Sequence, residues 1–197
     1  KMKYDSKALQ DAQRAAWNLM KSEPGVAKDK SNVTEPAVLR AELAYANTTS
    51  IYQFQFAANA ASAATTALNN FSFGENDIFW IYGIQILYGS GSTSNNRAYY
   101  SRGFTPSDDI LYNGTMEINI ESRNPVLNLP MQMFREEGEM NTMSGLVFIN
   151  PLRRLTGNYS NFTVSINLGK TAVNIASATL TANGYISCLL HGAQARP

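Results

Sequence analysis

The sequence predicts an all-β protein, a β-sandwich or jelly roll preceded by a helical arm, and three observations carry that reading. Stretches of period-two alternation recur along the chain after residue 49. Clusters of Gly, Pro, Asn and Asp punctuate them, with no long helical pattern in between. The longest apolar run is Ile78-Phe79-Trp80-Ile81-Tyr82-Gly83-Ile84-Gln85-Ile86-Leu87-Tyr88. Its β-branched and aromatic bias suits a strand buried on both faces for much of its length. It is the expected spine of the sheet, and Gly83 at its midpoint marks a bend, a bulge or a close approach.

Residues 6–21 form the one convincing helix. Asp5 or Ser6 can cap it, and Leu9, Ala12, Ala16, Leu19 and Met20 recur at helical spacing beside Trp17. Pro24-Gly25 ends it. Its apolar face is narrow and rich in Ala, so it is expected to dock on another surface, either its own domain or a neighbouring subunit. Residues 26–35 are polar and aperiodic and read as a linker. Residues 36–45 fit a helix begun by Pro36 or a strand, and an extended lead-in is favoured. The expected division is a helical arm and linker over residues 1–35 and a sandwich domain over 36–197.

Within that domain Ile51-Tyr52-Gln53-Phe54-Gln55-Phe56 alternates cleanly. Residues 57–70 are a low-complexity stretch that suits a short helix or a surface loop. Residues 97–102 are strand-like. Asn113-Gly114 is a hairpin-turn pattern, and in residues 115–121 Met116, Ile118 and Ile120 point inward. Residues 126–134 contain Pro130 and follow directly on Pro125, which confines any strand there to a sheet edge. Leu146-Val147-Phe148-Ile149 reads as a short buried strand ended by Asn150-Pro151. Phe162, Val164, Ile166 and Leu168 alternate with polar residues, and residues 172–180 and 185–190 complete the expected set around Asn183-Gly184. The count is eight to ten strands.

The composition narrows the function. Only 16% of the residues are charged, the net charge is +1, and none of the residues between Glu42 and Glu75 is charged. A typical soluble domain carries about 25%. A surface of Asn, Ser, Thr, Ala and Tyr suits a protein packed against neighbours, and equally a plain neutral surface. The first 30 residues carry seven basic and four acidic side chains, a net +3. That is far short of a nucleic-acid-binding arm, so the case for direct nucleic-acid contact is weak. No run approaches the roughly 18 apolar residues of a membrane-spanning helix.

Catalytic chemistry is hard to assemble from these residues. The single Cys188 reads as a small buried hydrophobe and points to a reducing compartment. The single His191 reads as a polar residue at the start of a flexible tail, residues 192–197. One His and one Cys exclude a zinc site built from those ligands. Gly169-Lys170-Thr171 resembles the end of a phosphate loop, but position 164 is Val and the segment reads as a hairpin turn. Asp108-Asp109 and Glu136-Glu137-Glu139 lack calcium-loop spacing and read as solvated turns. The expectation is no enzyme, no cofactor and no metal.

The order of features then takes on a familiar outline. A docking arm precedes Leu39-Arg40-Ala41-Glu42-Leu43, and Ile51 to Phe56 follows. Next come the strand from Ile78 and Leu111-Tyr112-Asn113-Gly114-Thr115-Met116-Glu117-Ile118. This order resembles jelly-roll capsid proteins of tailless icosahedral bacteriophages, over roughly residues 36–190. The resemblance implies a structural protein of the virion, assembled in the host cytoplasm from copies of itself and other capsid proteins. Its strands would build the wall and its arm would tie subunits together. The candidate interface residues are Leu9, Ala16, Trp17 and Met20 on the helix and Tyr99 and Tyr100 near a loop. Trp17 is the foremost anchor, because large aromatics carry interface energy when buried in a partner pocket. The competing expectation is a secreted or surface β-sandwich that binds carbohydrate or acts as an adhesin, with Tyr99, Tyr100 and Tyr112 stacking on sugars.

Overall fold

A computed structural model describes residues 6–23, 33–44, 50–56, 77–90, 101–102, 113–120, 127–134, 145–156, 162–168 and 184–196. Among them are one α-helix, α1 (Ser6–Ser22), and nine strands. The strands are β1 (Val33–Ala44), β2 (Ile51–Gln55), β3 (Ile78–Ser90), β4 (Ser101–Arg102), β5 (Thr115–Ile120), β6 (Leu127–Pro130), β7 (Leu146–Thr156), β8 (Phe162–Asn167) and β9 (Gly184–Arg196). A 3-10 turn, Met131–Phe134, follows β6 and buries Met131 and Phe134.

The strands form two antiparallel sheets. One runs β1-β9-β3, with the far edge of β3 shared by β7 along Ile78 to Gln85 and by β4 at Tyr88 and Gly89. The other runs β2-β8-β5-β6. The pairs β1–β9, β2–β8, β3–β7 and β5–β6 are nested in sequence, the first strand with the last and so on inward. Two further pairings, β3–β9 and β5–β8, stitch the nested pairs into the sheets.

Side-chain alternation explains the layers. Leu39 and Ala41 of β1, Phe79, Ile81, Ile84, Ile86 and Tyr88 of β3, and Ile186, Cys188 and Leu190 of β9 project from one sheet. Tyr52, Phe54, Met116, Ile118, Val164 and Ile166 meet them from the other, in one cluster. Each fully buried Ile, Leu or Phe contributes roughly 1.5–3 kcal/mol of transfer free energy. The two-sheet, mostly β architecture expected from the periodicity is present, and β6 lies on a sheet edge as expected from Pro130.

The inward set on β3 changes parity, from 79 and 81 to 84, 86 and 88. A β-bulge makes the change: Ile81 pairs with Gly192 and Gly83 with His191, leaving Tyr82 as the extra residue. Ile78, Trp80 and Tyr82 therefore face the outer side, where α1 covers them. This is why the run reads as apolar on both faces, and the bulge at Gly83 is the feature the glycine announced.

Three boundaries differ from the sequence reading. β1 begins at Val33, inside the stretch read as linker, because Val33 to Glu35 already pair with Arg196 to Gln194. β7 does not end at Asn150-Pro151 but continues to Thr156. Opposite the β3 bulge its register jumps from Phe148 to Arg153, so Pro151, with no N–H to donate, falls where the ladder is interrupted. The largest correction concerns the carboxyl-terminal residues. Residues 192–196 belong to β9, which is hydrogen-bonded on both sides, to β1 and β3. His191 is buried at 6% exposure. The expected strand over 172–180, the stretch 57–70, the 169–171 turn and both acidic clusters lie outside the described residues.

Candidate functional site at the helix cradle

The helix lies across the outer face of the five-stranded sheet. Its stripe at spacings of three and four, Leu9, Ala12, Ala16 and Met20, packs on Ile78, Trp80 and Tyr82 of β3, Leu152 of β7 and Ala193 and Ala195 of β9. The two alanines on β9 lack bulk, so the helix can approach the sheet closely. Ala16 and Met20 are fully buried. Lys21 occupies the last turn, where a cation complements the helix dipole. Its Nζ sits 5.6 Å from the centre of the Trp17 ring.

A polar clasp fixes the end of the helix. The Glu23 N–H donates to the Met20 carbonyl at 3.1 Å, and Ser22 Oγ donates to the Leu19 carbonyl at 2.7 Å. The Glu23 carboxylate then accepts from Arg154 Nε at 2.7 Å and Arg154 Nη2 at 3.1 Å, a two-point contact. The Trp80 indole N–H donates to the same carboxylate at 3.1 Å. Farther along the helix, Gln13 Nε2 donates to the Tyr82 hydroxyl at 3.4 Å. Glu23→Gln is expected to lower unfolding stability by about 1–2 kcal/mol, since one oxygen of a charge-assisted, partly buried pair becomes a donor facing a guanidinium. A urea titration read by Trp fluorescence measures it.

Beside the helix is a hollow of about 210 Å³ lined by Gln13, Trp17, Pro36, Tyr82, Gly192 and Ala193. Trp17 forms part of its wall and stays half-buried. Thus two of the four helix residues named as interface candidates, Ala16 and Met20, are spent on the chain's own sheet. Leu9 packs there half-buried, and Trp17 keeps part of its surface exposed. Tyr99 and Tyr100 lie outside the described residues.

The rest of that outer face holds a buried polar set. Ser187 Oγ donates to Glu42 Oε1 at 2.9 Å, Arg40 Nη2 donates to Ser187 Oγ at 3.2 Å, and Arg40 and Glu42 form an ion pair. Glu42 is 1% exposed. His191 Nε2 lies 3.2 Å from Gln85 Oε1, and its ring is tilted against Tyr82 with centroids 6.4 Å apart. Burial lowers the His191 pKa to about 4, so the imidazole is neutral at pH 7. Ser187 and His191 share a face of β9 but stand four residues apart, roughly 13 Å, too far for a nucleophile and its base. Cys188 faces the core, and burial pushes its thiol well above the usual range. Among the described residues no three His, Cys, Asp or Glu side chains gather as a metal site would need. No described helix is long and apolar enough to cross a membrane.

The sequence reading located α1 and missed its clasp. Glu23 and Arg154 are 131 positions apart, and neither belongs to a pattern that marks it. The buried polar set was equally hidden, because its members reach one another only across strands. Fold and site together define a two-sheet antiparallel β protein with a helix clasped to one outer face. Compared with known protein families the sequence matches none, and a search of curated proteins likewise finds no match.

Proposed function

We propose that the chain is a structural protein that assembles with copies of itself, and with other coat proteins, into a viral, phage-type capsid shell, and performs no catalysis. The observation that carries this reading is the strand order. Set β4 aside as a two-residue ladder, and the sheets read β1-β9-β3-β7 and β2-β8-β5-β6. An antiparallel ribbon of eight strands, paired first with last and then wrapped, would produce this order, which supports reading the sandwich as a jelly roll, the architecture of many capsid proteins. The low charge is a second support, because subunits that spend their life in contact have less need of repulsive surface charge. The virion is accordingly the proposed location, with assembly in the host cytoplasm.

Negative-stain imaging of the expressed chain tests the proposal. Closed particles of uniform size support it. A dispersed monomer that scores on a glycan array moves the weight to the alternative, a surface β-sandwich that binds carbohydrate. Trp17 supplies a residue-level test. Its half-buried ring walls an open hollow, so Trp17→Ala is expected to slow assembly, followed by light scattering, at least tenfold. The melting temperature of the monomer should fall by only a few degrees. Equal assembly by variant and parent would remove Trp17 from the contact.

A further inference from the structure

We propose that Tyr82 links the seating of α1 to the protonation of His191, so that mild acid loosens the helix from its cradle while the two sheets stay packed. The link is independent of the shell reading and follows from what stands between the imidazole and solvent. His191 is only 6% exposed although it lies on the outer face of the sheet, with Tyr82 and Gln85. Tyr82 meets both partners. Its ring is tilted against the imidazole with centroids 6.4 Å apart, and its hydroxyl accepts from Gln13 of α1. The same side chain shares a buried cluster with Ala16 and Met20 of the helix. Tyr82 is also the extra residue of the β-bulge, skipped in the register with both β7 and β9. It is therefore the residue of β3 least held by the ladder. Water reaches the imidazole when Tyr82 swings aside, and Tyr82 cannot swing while α1 lies on it.

The groups around His191 do not offset the cost of charging it. From β1 the same face presents Val38 directly opposite, then the Arg40 cation and Glu42, whose carboxylate is engaged by Arg40 and Ser187. β3 brings the Gln85 carboxamide at 3.2 Å and the Tyr82 phenol, β9 brings Ser187, and α1 brings Gln13. β7 places Leu146 and Phe148 opposite Gln85 and Gly83. Among the described residues no carboxylate bonds to the ring. With the helix seated His191 takes a proton only near pH 4, and a hydrated ring regains the ordinary value of 6.5. The undocked state binds more protons between those values, so docking weakens as the pH falls from 6.5 toward 4. The helix gives way before the sheets because its cluster shares no member with the main core. Opening β9 would instead break its pairing with both β1 and β3.

Hydrogen exchange on the full chain tests this. An undocked helix of 17 residues is marginal in water, so its amides exchange whenever it leaves. The α1 amides are expected to be less protected than those of β5 and β8. Between about pH 7.5 and 4.5 their protection, corrected for intrinsic rate, should fall on the order of 70-fold. In His191→Gln that fall should vanish. In Glu23→Gln, where the clasp is weakened and the histidine remains, it should persist from a lower starting level. Protection of α1 that ignores pH, that falls equally in His191→Gln, that loses its pH dependence in Glu23→Gln, or that matches β5 and β8 overturns the proposal. The reciprocal effect gives a second reading that leaves His191 in place. Ala16→Lys puts an ammonium into a fully buried position and drives the helix off. The chain has one histidine, so an NMR titration of that ring follows His191 alone. With the β5 and β8 amides still protected, its midpoint should rise from about 4 toward 6.5 in the variant, although an added cation alone would lower it. A midpoint that stays near 4 overturns the proposal.

Discussion

Gly192→Ala is expected to destabilise the protein by about 3 kcal/mol or more. An added Cβ would lie 2.4 Å from the Trp80 carbonyl oxygen and 2.5 Å from two carbons of the Phe79 ring. The first obstacle is backbone, and the second is a fully buried ring wedged in the core. Neither can move unless β9 parts from β3, and those strands are paired along nearly their whole length. For a chain of this size the loss corresponds to roughly 6–12 °C in melting temperature. Gly83→Ala is the internal control. Its added Cβ would meet Leu146 Cδ1 at 2.8 Å, the tip of a flexible side chain, with the nearest backbone atom at 3.4 Å. The cost there is expected to be about 1 kcal/mol. Thermal unfolding of the two variants side by side measures the contrast, and equal losses would mean that β9 is not held as tightly against β3 as described.

The second large effect is a loss of stability in mild acid. In the folded protein His191 binds a proton only near pH 4, because burial disfavours the charged ring, whereas the unfolded chain binds one near pH 6.5. Between those values the unfolded state carries more protons, so stability rises with pH. The full contribution is present above about pH 6.5, drains away as the pH falls through the window, and is gone below about pH 4. The drop amounts to as much as about 3 kcal/mol. His191→Gln keeps a polar partner for Gln85 and removes the titrating ring, so its stability should stay flatter across the same range. Urea midpoints at pH 7, 6, 5 and 4.5 for parent and variant isolate the effect, since the carboxylates titrate alike in both. Parallel curves would show that His191 is not the group responsible.

Both predictions concern β9, the element that was hardest to read. The sequence Gly192-Ala193-Gln194-Ala195-Arg196 is small and polar, with nothing larger than Ala at its alternating apolar positions, so by composition it reads as a tail. The composition has a tertiary cause. Gly192 is small because the Phe79 ring and the Trp80 carbonyl press against it, and Ala193 and Ala195 are small because α1 lies on them. A strand squeezed between two others and beneath a helix has no room for the β-branched residues that mark strands elsewhere. The opposite holds for β5 and β8. Met116 and Ile118, like Val164 and Ile166, alternate with polar neighbours because one face is core and the other is not. Their period was legible at once. β7 shows a third case: Pro151 looked like a terminator, yet the register jump opposite the β3 bulge lets the strand carry it and continue.

The site divides in the same way. Helical spacing exposed Leu9, Ala16, Met20 and Trp17, but only packing distinguishes side chains consumed by the cradle from one that keeps a free face. The Glu23–Arg154–Trp80 clasp and the Gln85–His191 pair arise from strand order, which single positions do not encode. Strand order is also what connects the fold to the proposed role.

The mass of the native assembly tests that role most directly. Each chain weighs 21.7 kDa, so a shell built from it sediments as a species of megadalton size. Sedimentation velocity on the purified chain is predicted to show such a species with a narrow distribution, growing at the expense of small oligomers as concentration rises. A single boundary at the mass of one chain, unchanged across concentration, would contradict it.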